Sequence, residues 1–140
     1  MNIDLASFDL TKSAGEGAKC ELRHPGTNEP LLTASGEPVY ILLAGMDSKV
    51  YQNKSTELEN ARYQRNVDSK KKGKSNLLKE VLDDNMELIV ECTLGWGNLF
   101  LDGAMLKFDK KVCVDIYTRF GWIREQAYSF IVDRSNYLRD

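Results

Sequence analysis

The segment from Phe120 to Leu138 limits what this chain can fold into more than any other. Its apolar side chains at Ile123, Ala127, Phe130, Ile131 and Leu138 follow the i, i+4, i+7, i+8 spacing of one helix face. Chain ends fray unless something anchors them. The spacing therefore predicts a helix, opened by Trp122, that docks into the protein's own core or onto a partner. Trp122, Ile123, Phe130 and Ile131 read as core markers, and so does Trp96 further upstream.

The rest of the chain has to supply what that helix packs on. The first 17 residues mix Ile3, Leu5, Phe8 and Leu10 with aspartates and glycines, and predict an extended arm. Residues 18–45 are β-rich. Lys19 to His24 alternates, Leu31-Leu32-Thr33 suggests a short strand, and Val39 to Ala44 is a β-branched and aliphatic run between turn clusters. A small antiparallel sheet of two or three strands follows, marginal unless helices cover it.

Residues 47–138 are mainly helical in expectation. Asp47 or Ser48 caps a helix from Lys49 to Val67, whose apolar stripe is thin and whose surface is Lys, Gln, Asn, Glu and Arg. Asp68 to Ser75, with four lysines, predicts an exposed loop. Ser75 or Asn76 then caps the core helix, Leu77 to Leu94, with Leu77, Leu78, Val81, Leu82, Leu88, Ile89 and Cys92 inward. Gly95-Trp96-Gly97 predicts a helix stop, and Asp102-Gly103 a type I′ hairpin near residues 99–106. Asp109 caps a helix that buries Val112, Cys113, Ile116, Tyr117 and Phe120, with Gly121 as its stop. The predicted fold is one α+β domain over residues 1–140: a small N-terminal antiparallel sheet on about four helices, with a minor hairpin.

The chemistry-bearing residues are sparse. A net charge of −2 does not suit a dedicated nucleic-acid binder. Three widely spaced cysteines, Cys20, Cys92 and Cys113, make neither a disulfide framework nor a metal motif, and suggest a reducing compartment. No secretory signal or membrane span is legible. His24, the one histidine, reads as structural at a strand end. Asp83-Asp84 reads as a solvated helix face, and Arg124-Glu125 and Asp133-Arg134 as local ion pairs of little worth. No catalytic, cofactor or metal residues are assigned. The polar helix is the candidate partner surface, through Val50, Tyr51, Leu58, Ala61, Tyr63 and Arg65.

The order of motifs resembles that of the tail assembly chaperones of tailed bacteriophages, small proteins encoded beside the tail tube and tape-measure proteins. The likeness runs from Asp4–Lys12 and Gly15–Ala18 through Glu21–Pro25 to Ile41–Ser48 entering a polar helix. It continues with Cys92–Trp96, Leu101–Gly103, Trp122–Gln126, Phe130-Ile131 and Asp133–Leu138. The resemblance implies a non-enzymatic protein that binds the tape-measure protein and tail tube subunits during tail morphogenesis. It would work in the host bacterial cytoplasm, without cofactor, nucleic acid or membrane; homo-oligomerisation stays open. A structural part of the virion, at the tail or head–tail connection, is the alternative. A small host-directed regulator or enzyme is a second.

Overall fold

A computed structural model of the protein describes residues 2–72 and 77–138, with side chains described outside 68–82. The fold is α+β. Among the described residues there are five α-helices, two short 3-10 turns, a three-stranded sheet and a two-stranded hairpin. No helix among them is long and apolar enough to cross a membrane.

The first 17 residues are not extended as their composition predicts. Asp4 accepts a hydrogen bond from the Ala6 amide and starts a 3-10 turn, Leu5–Phe8. Asp9 accepts one from the Thr11 amide and leads into α1, Thr11–Glu16. Gly17, at φ +86°, ends α1, because that backbone conformation is costly with a Cβ.

The main sheet runs β1-β2-β3, all antiparallel, from β1 (Ala18–Glu21), β2 (Tyr40–Leu43) and β3 (Thr93–Gly97). Its third strand comes from 93–97, where a helix stop is predicted, and not from 31–33. The 31–33 stretch makes one isolated bridge, Leu32 with Pro38. Gly95-Trp96-Gly97 extends because Tyr40, Ile41 and Leu42 pair with it. The Tyr40 ring lies over Gly97, where any Cβ would meet it at 2.5 Å, and Lys19 Nζ sits 4.6 Å from the ring centroid. A flat aromatic laid on a glycine covers backbone that the missing side chain would leave bare.

The helices cover the other face. They are α2 (Lys49–Lys72), α3 (Leu77–Cys92), α4 (Lys110–Arg119) and α5 (Gly121–Ile131). Helix α2 runs past Val67 into the predicted loop; residues 73–76 of that loop, and its lysine side chains, lie outside the described residues. So do the side chains of Leu77, Leu78, Val81 and Leu82 and the caps predicted at Ser75 and Asn76. Helix α3 stops at Cys92, two residues before the predicted end. Two of its free carbonyls are taken by Lys110 Nζ, which donates to Val90 O (2.6 Å) and Glu91 O (3.2 Å) and also to Thr93 O (2.8 Å) at the start of β3. A cation there also complements the helix dipole.

The core joins Cys20, Ile41 and Leu43 of the sheet to Leu58, Ile89, Cys92, Cys113, Ile116, Ile123 and Ile131 of the helices. Its polar centre is closed. The Tyr117 hydroxyl and Thr93 Oγ1 are 2.8 Å apart, and Thr93 donates to Ile89 O at 2.7 Å. The hairpin of β4 (Phe100–Leu101) and β5 (Ala104–Met105) turns on Asp102 and Gly103, both at positive φ, as the Asp-Gly pair predicts.

The closing segment packs on the core, but not as one helix. Helix α5 begins at Gly121 rather than Trp122 and ends at Ile131; a 3-10 turn then covers Arg134–Tyr137. That break rotates Tyr137 inward and leaves Leu138, which the spacing places on the docking face, exposed. The Tyr137 hydroxyl donates to Leu43 O at 3.1 Å, and its ring presses on Gly45, where a Cβ would lie 2.7 Å away.

Candidate partner-binding surface

Helix α2 starts at a buried serine. Ser48 Oγ accepts from the Tyr51 amide at 3.1 Å and donates to Gly45 O at 2.6 Å, which ties the helix to the end of β2. The first three turns face inward. Val50 and Tyr51 are half-buried against the core, and Leu58 is buried within it. Burial, helped by neighbouring Tyr128 and Cys92, pushes the Tyr51 phenol up from its ordinary pKa. Of the six candidate contact residues, Leu58 is thus enclosed in the core, and Val50 and Tyr51 are only partly open to a partner.

Beyond Leu58 the apolar stripe ends. Ala61 and Tyr63 are exposed, Tyr63 at 66%. Arg65 turns toward α3 together with Arg62. Arg62 Nε and Nη2 donate to Asp84 Oδ2 at 3.1 and 2.9 Å, and Arg65 Nη2 donates to Oδ1 and Oδ2 at 3.3 and 3.1 Å. Asp84 is only 4% exposed, so the predicted solvated face is wrong at this position. A buried carboxylate needs paired, hydrogen-bonded donors, and two guanidiniums supply them. Lys54 adds a bridge to Glu87 on α3 at 3.6 Å and one to Glu57 on its own helix at 3.3 Å. What remains outward on α2 is a polar surface with one large aromatic, Tyr63, among residues such as Gln52, Thr56, Glu59 and Asn60.

The core markers divide by depth. Ile123 and Ile131 are buried; Trp96, Trp122 and Phe130 are half-buried. The Trp96 indole donates to Leu106 O at 3.0 Å and stands edge-on to Phe108. Phe130 meets Tyr137 edge-on at 5.6 Å, and Trp122 meets Phe120 at 6.4 Å.

Ionisable groups also gather in a shallow cleft between β1 and α5, where Cys20, Glu21, Arg23, His24, Glu125 and Asp133 line one wall or the other. Several of the side chains here are engaged in holding backbone. His24 Nδ1 accepts from the Gly26 and Thr27 amides at 3.0 and 3.1 Å and so builds its own turn. Gln126 acts as a strand edge for Arg23, accepting from its amide at 2.9 Å and donating to its carbonyl at 2.8 Å. Asp133 accepts from the Ser135 hydroxyl and then from its amide, which together hold its carboxyl below the usual range; Arg134 pairs with Asp47 at 2.8 Å, not with Asp133 as predicted. Burial, and to a lesser degree Glu21, pushes the Cys20 thiol up to about 11. A thiol held there is protonated near neutrality, and the thiolate is the nucleophile. Among the described residues no three His, Cys, Asp or Glu side chains cluster to hold a metal ion.

No protein-family model, curated protein or solved structure matches this chain.

Two features of the surface escape a reading of residues one by one. The Asp84 clamp pairs residues 19 and 22 positions apart, and the apolar spacing of the helix that carries Asp84 says nothing of what its polar residues meet. The Gln126–Arg23 pairing spans 103 positions, and glutamine on a helix looks like solvent-facing polarity until the strand edge is beside it.

Proposed function

We propose that the protein is a non-enzymatic tail assembly chaperone of a tailed bacteriophage. It binds the tape-measure protein and tail tube subunits in the host cytoplasm without covalent chemistry. The motif order from Asp4 to Leu138 supports the family. The observation that carries the binding role is the outer part of α2, a long polar helix held to α3 by the Asp84 clamp and presenting Tyr63 outward. A tape-measure protein is a long helical chain with apolar stripes. A preorganised helix surface with a rigid aromatic anchor engages such a chain at low ordering cost. Tyrosine suits this task, since its ring buries area while its hydroxyl stays hydrogen-bonded.

Mass spectrometry of purified virions tests this reading. A chaperone leaves before the particle is complete, so its peptides should be missing while tube and tape-measure peptides are abundant. Stoichiometric recovery from washed particles would instead support the structural role in the virion.

A further inference from the structure

Two exposed apolar features lie at opposite ends of the sheet. One is the arm, residues 2–9, where Ile3 and Leu5 are each 80% exposed and Phe8 is 59% exposed. The other is a groove of about 310 Å³ between the 31–39 loop, the β4–β5 hairpin and the α4–α5 corner. Leu22, Val39, Leu99 and Trp122 form its walls, and Leu32 and Phe100 stand more than half exposed along it.

We propose that the arm of a second copy of this chain fills the groove, and that the exchange is reciprocal. The chain's own arm sits on the wrong side. Helix α1 is pinned where β2 ends, by the Gly45 amide donating to Ala14 O at 2.9 Å. Leu22 and Val39 flank the other ends of β1 and β2, a strand length away, roughly 13 Å at about 3.3 Å per residue.

Charge favours the pairing. The arm carries Asp4 and Asp9 on either side of Leu5–Phe8 and has no basic residue before Lys12. The groove's rim is mixed: its α4–α5 corner carries Arg119, 5.3 Å from the Phe120 ring, and Arg124, whose guanidinium reaches back beside Gly121, while Glu37 and Asp102 stand on the loop and the hairpin, so the acidic arm is drawn to the corner side. Opposite charges at the rim steer and orient such a contact. Size decides between one arm and two. One arm supplies eight residues, too few alone for a stable interface. With mutual exchange each copy contributes those eight and the ten groove residues not already buried in its own core, which approaches the roughly 20–30 residues a side of a standard interface.

Sedimentation equilibrium on the full chain tests the exchange. The wild type should run as a dimer at micromolar concentration. Phe8→Glu and Leu32→Glu should each raise the dimer dissociation constant at least about tenfold. Both side chains are more than half exposed, so the monomer's thermal midpoint should not move. Mixing the two variants restores one good arm and one good groove, and should give a weak heterodimer that neither forms alone. As a check independent of stability, Leu5→Cys on one copy should cross-link through a short bis-maleimide to Leu32→Cys on another; the three native thiols are buried. A monomeric wild type, an arm variant that stays dimeric while the groove variant does not, or no cross-linked pair would each overturn the proposal.

Discussion

At Asp84 one carboxylate, 4% exposed, accepts from two guanidiniums whose own side chains are 33% and 39% exposed. Removing one partner of a fully buried pair costs about 3–5 kcal/mol. Here water reaches both arginines, so Asp84→Ala should cost less, about 1–2 kcal/mol. Urea denaturation reads this directly, and a loss under 0.5 kcal/mol (about the noise of a surface change) would show that the clamp is decorative. Gly45 makes a sharper case. A methyl there lies 2.7–2.9 Å from three atoms of the buried Tyr137 ring. Gly45→Ala should destabilise by about 1–3 kcal/mol and free the Tyr137 hydroxyl from Leu43 O, a change that fluorescence and thermal unfolding can follow. Neither residue announces itself: Asp84 sits among other acids, and the ring that covers Gly45 arrives from 92 positions away.

Element by element, periodicity was legible wherever one face is buried. Helix α4 caps on Asp109, which accepts from the Lys111 amide at 2.7 Å, and buries Cys113, Ile116 and Tyr117 from the predicted set. The hairpin at Asp102-Gly103 was equally plain. Elements set by distant partners were not. Strand β3 exists because β2 pairs with it, although glycine is a poor strand former. The arm folds through aspartate side chains rather than apolar pattern. In the last segment the 3-10 break exchanges Tyr137 for Leu138 as the buried residue, which helical counting could not foresee. Of the candidate surface, the polarity of α2 was readable, but Val50, Tyr51 and Leu58 belong to its buried side. Because α5 supplies Ile123, Ala127 and Ile131 to the core and Gln126 to the edge of β1, ending the chain after Gly121 should abolish cooperative folding. Each such isoleucine contributes about 1.5–3 kcal/mol against a total stability of about 5–15 kcal/mol. An unchanged melting temperature in the truncated protein would show that α5 serves a partner instead.

For the whole molecule, the buried acids that titrate late set an alkaline limit. Burial pushes Cys20 up to about 11 and Cys92 up to about 12, and raises Tyr117 and Tyr137 above their ordinary value. Each has a folded pKa above its unfolded one. The unfolded chain therefore releases protons first as pH rises, and stability falls. The contribution is complete below about pH 9, the unfolded thiol range, and is lost as pH rises toward the folded values. Urea midpoints should hold near neutrality and drop between pH 9 and 11; a flat profile there would contradict the burial of these groups. The same buried thiols should resist a thiol reagent in the native state. The proposed function belongs to this scale too, since a protein proposed to work by contact is tested by what it keeps in solution. For the proposed chaperone role the most direct measurement is co-expression with a tape-measure protein encoded beside this chain, with wild type or Tyr63→Glu. Wild type should raise the soluble tape-measure fraction several-fold and co-purify with it, and Tyr63→Glu should lose the effect while keeping its melting temperature. A tape-measure protein that stays equally insoluble with and without the wild type would contradict the account.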